Sequence, residues 1–222
     1  MNWEYNTIWF DQIDSHKRFI WDSKKKITQT PVLTGVEYLF LWHYKVTEGN
    51  FNEIPEANDC RYLDITFSNI KDFSGIKRFT DLKRLHVDYC LKLESDRGLA
   101  DLKDTLEWLH IEQSKKLTSI NEISVLSNLK VLSLNNCGPI ESLNFIQLLP
   151  HLIDFRFVGT NILSGDLTPL IEHPNLKSVG FLDKRHYNFK SKAIDAIFKE
   201  KANEDSFKDY VYKGEYRTFK YK

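Results

Sequence analysis

Between residues 129 and 143 the chain reads LKVLSLNNCGPIESL, and Leu129, Leu132, Leu134, Cys137 and Ile140 set the spacing LxxLxLxxCxxL. Side chains alternate along a strand, so Leu132 and Leu134 share one side while Val131, Ser133 and Asn135 take the other. One side is core and the other is open. A single such strand cannot bury its apolar face, so the unit must stack against copies of itself. The pattern does recur, with unit starts at Val36, Cys60, Leu82, Leu106, Leu129, Leu152 and Leu176 and intervals, by subtraction, of 24, 22, 24, 23, 23 and 24. The fourth and sixth positions are Leu39/Leu41, Leu63/Ile65, Leu85/Val87, Leu109/Ile111, Leu132/Leu134, Phe155/Phe157 and Val179/Phe181. All fourteen are apolar, which marks a repeat array with two core columns.

Each unit must cross the back of the array and return in about fifteen residues, too few for a three-turn helix and two turns. Segments such as DFSGIKRFTD and SINEISVLSN carry an apolar residue about every third position, which predicts 3₁₀ or one-turn helical pieces. Slim pieces of this kind space the units almost as closely as the strands do, so the arc should curve gently. The ninth position holds Ser68, Cys90, Ser114, Cys137 and Thr160, a column of small polar groups able to bond the backbone of neighbouring turns. Cys60 sits at a first-position core site and acts as a small hydrophobe.

The period divides the chain into residues 1–35, an aromatic-rich N-terminal cap; 36–183, a solenoid of about seven repeats; and 184–222, a C-terminal cap. Trp3, Tyr5, Trp9, Phe10, Phe19 and Trp21 can cover the first repeat's exposed end, and KRFIWDSKKKITQ reads as a hairpin turning at Asp22 to Lys25. At the other end SKAIDAIFKEK predicts a short amphipathic helix with Ser191 as N-cap, Ala193, Ile194, Ile197 and Phe198 on one face, and Lys199 and Lys201 at its C-terminal end. The tail from Lys208 interleaves aromatic and basic residues. That mixture suits single-stranded nucleic acid, but alternation around Lys213-Gly214 favours a hairpin closing the solenoid.

Composition narrows the function classes. Lys plus Arg and Asp plus Glu both number 31 in 222 residues, so no net charge steers the chain to nucleic acid or anionic membranes. No apolar run is long enough to cross a bilayer, and the first thirty residues lack the pattern of a secretory leader, so a cytoplasmic, monomeric protein is expected. Three cysteines without close pair spacing argue against a disulfide framework or a zinc site, and no cofactor or metal is expected.

The units LKRLHVDYCLKL, LEWLHIEQSKKL and LKVLSLNNCGPI resemble leucine-rich repeats of the short-period class found in internalins and phosphatase-regulatory proteins. The resemblance implies an α/β fold: a right-handed horseshoe with a parallel sheet on its concave side, recognising protein through that sheet. The chain departs from the class in having Ser, Cys or Thr where asparagine is commonest, and in lacking the signal and wall-anchor sequences of secreted internalins.

The register also gives the open face. Its third positions are Tyr38, Tyr62, Arg84, Trp108, Val131, Asp154 and Ser178; its fifth are Phe40, Asp64, His86, His110, Ser133, Arg156 and Gly180; its seventh are Trp42, Thr66, Asp88, Glu112, Asn135, Val158 and Leu182. Large aromatics, carboxylates and arginine crowd the first four units, and these types dominate interface hot spots. The candidate protein-binding residues are therefore Tyr38, Phe40, Trp42, Tyr62, Asp64, Arg84, His86, Asp88, Trp108, His110 and Glu112. The expected function is a non-enzymatic scaffold for another protein, with an inhibitor or immunity protein masking a basic active site as a specific version. The alternative of another class is a hydrolase or metal-binding protein using the ladder Asp64, His86, His110 and Ser133. An exposed sheet offers such a ladder neither a water-excluding pocket nor an oxyanion hole.

Overall fold

The computed structural model describes residues 6–25, 30–201, 207–212 and 216–221. Eight strands lie side by side in chain order in one open parallel sheet: β1 (Arg18–Asp22), β2 (Tyr38–Trp42), β3 (Tyr62–Thr66), β4 (Arg84–Asp88), β5 (Trp108–Glu112), β6 (Val131–Asn135), β7 (Asp154–Arg156) and β8 (Ser178–Gly180). Pairing follows the repeat register, with Leu85 opposite Leu109 opposite Leu132, and His86 opposite His110 opposite Ser133. The fold is the leucine-rich-repeat solenoid that the resemblance implied.

The two core columns are fully buried from Leu39 and Leu41 through Phe155 and Phe157. Only Val179 and Phe181, in the last unit, are half-buried. Behind the sheet the crossings run through 3₁₀ turns at Ile76–Arg78, Leu99–Leu102, Ile123–Val125 and Asn144–Leu148, as the three-residue apolar spacing predicted. The last crossing is a short helix, α1 (Thr168–Glu172), whose first turn is pre-set by Pro169. Adjacent crossings are tied by carboxylates. Asp96 accepts the backbone N–H groups of Glu122 (2.6 Å) and Ile123 (2.8 Å), and Glu122 in turn accepts those of Gly98 (2.7 Å) and Ala100 (3.0 Å). Gly98 has φ +99°, and a Cβ there would lie 2.4 Å from the carbonyl of Phe73, so only glycine fits between the turns.

The small polar column bonds its neighbours as expected. Ser68 donates to the Tyr44 carbonyl at 2.7 Å, and Thr160 donates to that of Leu134 at 2.6 Å. Cys137 lies 3.5 Å from the Ile111 carbonyl. All three cysteines are free, and burial pushes the thiols of Cys60, Cys90 and Cys137 up to about 12. Thiol titration of the native protein should therefore be slow at neutral pH, reaching completion only in denaturant. Rapid labelling of Cys137 would contradict its place in this column.

The ends depart from the sequence reading in detail. A turn does form after Asp22, where Lys25 N–H donates to the Asp22 carbonyl. Arg18–Asp22, however, pairs parallel with Tyr38–Trp42, so the arm expected to enter a hairpin is the first strand of the solenoid sheet. Phe19 and Trp21 enter the core as alternation dictates. Residues 26–29, the expected returning arm, lie outside the described residues. Helix α2 (Ser191–Lys201) packs Ile194 and Phe198 against the last repeat. It starts one residue earlier than an N-cap at Ser191 would place it, because the Lys190 carbonyl already accepts the N–H of Ile194. β9 (Phe207–Tyr212) and β10 (Tyr216–Tyr221) form the expected antiparallel hairpin as a separate two-stranded sheet, and its Lys213-Gly214 turn lies outside the described residues.

Candidate functional site

The concave face is not open along its whole width. Residues 6–13 run over the third column: Ile8 and Ile13 pack on Tyr38 and Tyr62, which stack at 4.2 Å, and Phe10 meets Tyr38 edge-on at 5.0 Å. Arg84 Nη1 donates to the Asn6 carbonyl at 2.8 Å, and Trp108 Nε1 donates to the Asn6 side-chain oxygen at 3.2 Å. Tyr38, Tyr62 and Arg84 are only 5%, 6% and 4% exposed. The expectation that these three line an open surface is corrected: rows of aromatic rings on a concave sheet offer more apolar area than water tolerates, and the chain's own beginning covers them. Trp108 remains half-buried.

Beside this strap lies a cavity of about 500 Å³. Phe10, Phe40 and Trp108 wall it, and Asp64, His86 and His110 form its floor. Parallel pairing places those three floor residues in one row. His86 Nδ1 lies 3.5 Å from the Asp64 carboxylate, the two imidazole rings are 4.6 Å apart, and His110 Nε2 is 3.2 Å from Glu112. Burial pushes the His86 pKa down, but its hydrogen bond to Asp64 and the charges of Asp64, Asp88 and Glu112 outweigh that, so it is raised overall. His110 is lowered to about 4, first by burial and then by the neighbouring His86 charge. Burial also raises the Asp88 carboxyl, with Glu112 adding to it.

These shifts have opposite signs in stability. His86, with a raised folded pKa, favours the fold fully below its unfolded value near 6.5 and loses that contribution as pH rises through its folded pKa. His110, held neutral, opposes protonation, so its contribution is lost as pH falls from about 6.5 towards 4. His110→Gln should therefore lessen the decline in unfolding free energy between pH 6.5 and 4.5, as measured by urea titration. An unchanged slope would show that the imidazole is free to protonate in the fold.

A second feature lies just past the strand ends, at the eighth position of each unit. His43, Phe67, Tyr89, Gln113 and Asn136 all have φ between 49° and 58°, and Gly159 follows at 76°. The chain turns there in the left-handed region while the backbone ladder continues, since Phe67 N–H donates to the Asp88 carbonyl and Tyr89 N–H to that of Glu112. In three successive units this position carries a ring. The rings run in a line: Phe40 stacks on Trp42 at 5.7 Å, Trp42 on His43 at 5.2 Å, His43 on Phe67 at 5.4 Å, and Phe67 meets Tyr89 at 5.2 Å. Trp42, Phe67 and Tyr89 are 38%, 40% and 44% exposed. Reading the strand columns alone missed Phe67 and Tyr89, although aromatics at one register position in consecutive units were visible in the sequence.

The catalytic and metal alternatives gain little from this geometry. Ser133 Oγ is buried with no hydrogen-bond partner among the described residues, and His110 Nε2 is turned to Glu112, so no base meets the supposed nucleophile. Among the described residues no group of three or more His, Cys, Asp or Glu side chains is arranged to hold a metal ion. No described helix is long and apolar enough to cross a membrane.

No family model and no curated protein matches this chain. Among solved structures, an internalin (inlF) from Listeria monocytogenes is similar, with a TM-score of 0.47 and 17% sequence identity over 71% of this chain and 55% of that one. The chain thus spans about half the length of the internalin that it matches.

Proposed function

We propose that this chain is a recognition scaffold that binds another protein through the N-terminal half of its concave sheet and the aromatic line bordering it. The observation that carries this reading is the exposure of Phe67 and Tyr89 on left-handed backbone. A bulky residue at φ near +55° costs about 1–2 kcal/mol relative to the right-handed region, and asparagine or glycine, which this column uses at 136 and 159, fits with less strain. Large rings kept at a disfavoured position and left in solvent serve contact, not folding. Phe40, Trp42, Asp64, His86, Asp88, Trp108, His110 and Glu112 complete the surface. Tyr38, Tyr62 and Arg84 act from beneath, holding residues 6–13 in place. The carboxylates favour a partner with a basic face.

Affinity capture tests this with paired variants. The partner recovered by the unaltered chain should be lost with Trp42→Ala/Tyr89→Asn and kept with Ser178→Ala, which alters the same sheet far from the aromatic line. Retention by the double variant would sink the proposal.

A further inference from the structure

We infer that the cavity between the N-terminal strap and strands β2–β5 is a guanidinium-binding site, made to receive an arginine side chain. The inference rests on the proposed recognition role and names the group that the partner inserts. Three observations lead to it.

The walls are π faces, and two of their rings already stack guanidinium from outside. Arg84 lies over Trp108 at 5.5 Å, and Arg18 lies over Phe10 at 5.0 Å. Both arginines are fastened to strap carbonyls, Arg84 to Asn6 and Arg18 to Phe10, so they do not reach into the floor. Planar cations suit such walls because the ring quadrupole attracts charge while the flat group stacks.

The floor is rich in acceptors. Asp64 presents a carboxylate, and a neutral His110 that donates from Nε2 to Glu112 keeps Nδ1 as an acceptor. Guanidinium carries five donors and no acceptor, which suits Asp64 and the His110 acceptor, while His86, itself a donor to Asp64, is a neighbour of the guest and not its partner.

Charge is also unbalanced at the lip. Among the described residues, the ion-pair partners of Asp64 and Glu112 are only His86 and His110, and Asp88 has none. Three carboxylates thus face two imidazoles, of which His110 stays neutral. A single added cation with several N–H groups, seated over Asp64 and His110, offsets that surplus, with Asp88 and Glu112 acting on it as neighbouring charges outside the cavity lining.

The test is titration of the full ¹⁵N-labelled chain at pH 7 with Nα-acetyl-arginine N-methylamide, its citrulline counterpart and agmatine, followed at the Trp108 indole N–H. Citrulline has nearly the same shape without the charge. The arginine compound should give saturable shifts at millimolar concentration, citrulline should bind at least tenfold more weakly, and Asp64→Asn should lower affinity for arginine at least tenfold. Phe40→Ala, which removes a wall and leaves every floor hydrogen bond, should weaken binding likewise. Thermal unfolding of both variants verifies that they are folded. Agmatine binding as tightly as the blocked arginine assigns the site to free guanidines as well as to protein side chains; a preference for the blocked compound assigns it to protein. Absence of saturable shifts, or equal binding of citrulline, overturns the inference whatever the aromatic-line variants do to partner capture.

Discussion

Leu109→Ala should lower the unfolding free energy by about 2–5 kcal/mol, a large part of the 5–15 kcal/mol that folded domains typically hold. Leu109 is fully buried in the fourth column, between Leu85 and Leu132 on the flanking strands. Its truncation leaves a hole bounded on both sides by stacked units, and a solenoid has no other face through which to repack. The adjacent Trp108→Ala acts on the other side of the strand. The register alone predicts almost no loss of stability there, because the third column reads as surface. The structure corrects this: Trp108 donates to Asn6 and touches Tyr62, His86 and His110, so its removal should cost about 1 kcal/mol for the hydrogen bond, together with ring contacts. Urea unfolding should show a lower midpoint with an unchanged slope for both, and a clearly larger drop for Leu109→Ala. Equal drops would mean that the two sides of the strand have been assigned wrongly.

Phe67→Asn should separate binding from folding. Asparagine accepts left-handed backbone, which recovers about 1 kcal/mol of strain, while loss of stacking on His43 and Tyr89 forfeits about 0.5–1.5 kcal/mol. The two nearly cancel, so the midpoint should hardly move. Partner affinity should fall by about 2 kcal/mol or more, roughly thirtyfold, if the ring is an anchor. Calorimetry with the captured partner provides the measurement, and an unchanged affinity would remove Phe67 from the interface.

The core was legible because it is periodic. Leu39 to Phe157 obey one alternation, and each is confirmed by the side chain above and below it in the sheet. The same logic gave the row of Asp64, His86 and His110. It could not give how the third column, beside that row, is covered. Residues 6–13 carry no repeat, and Ile8, Phe10 and Ile13 form a pattern only against Tyr38 and Tyr62, far along the chain. β1 was misread for a related reason. KRFIWD has the right alternation, but without the flanking motif nothing local distinguishes a parallel neighbour from a hairpin arm. Phe67 and Tyr89 fall just outside the strand columns, and their backbone conformation is set by the stacked turns, not by residues that ordinarily prefer it.

The bond between Asn6 and Trp108 joins residues 102 apart, whereas strands β1 to β8 pair with neighbours 20 to 24 residues away. The order of assembly follows from that difference. Neighbouring units close short loops and can zip up in succession, but residues 6–13, which rest on β2 to β4, cannot complete their docking until β5 supplies Trp108. During synthesis the first residues emerge before their seat does, and they must wait through the making of about a hundred more. Refolding should accordingly end with a distinct late step, seen as a change in Trp108 fluorescence after the far-ultraviolet signal of the sheet is complete. Asn6→Ala should shrink the Trp108 signal of that step and leave the earlier ones intact, because Ile8, Ile13 and the Asn6 carbonyl still hold residues 6–13 on Tyr38, Tyr62 and Arg84.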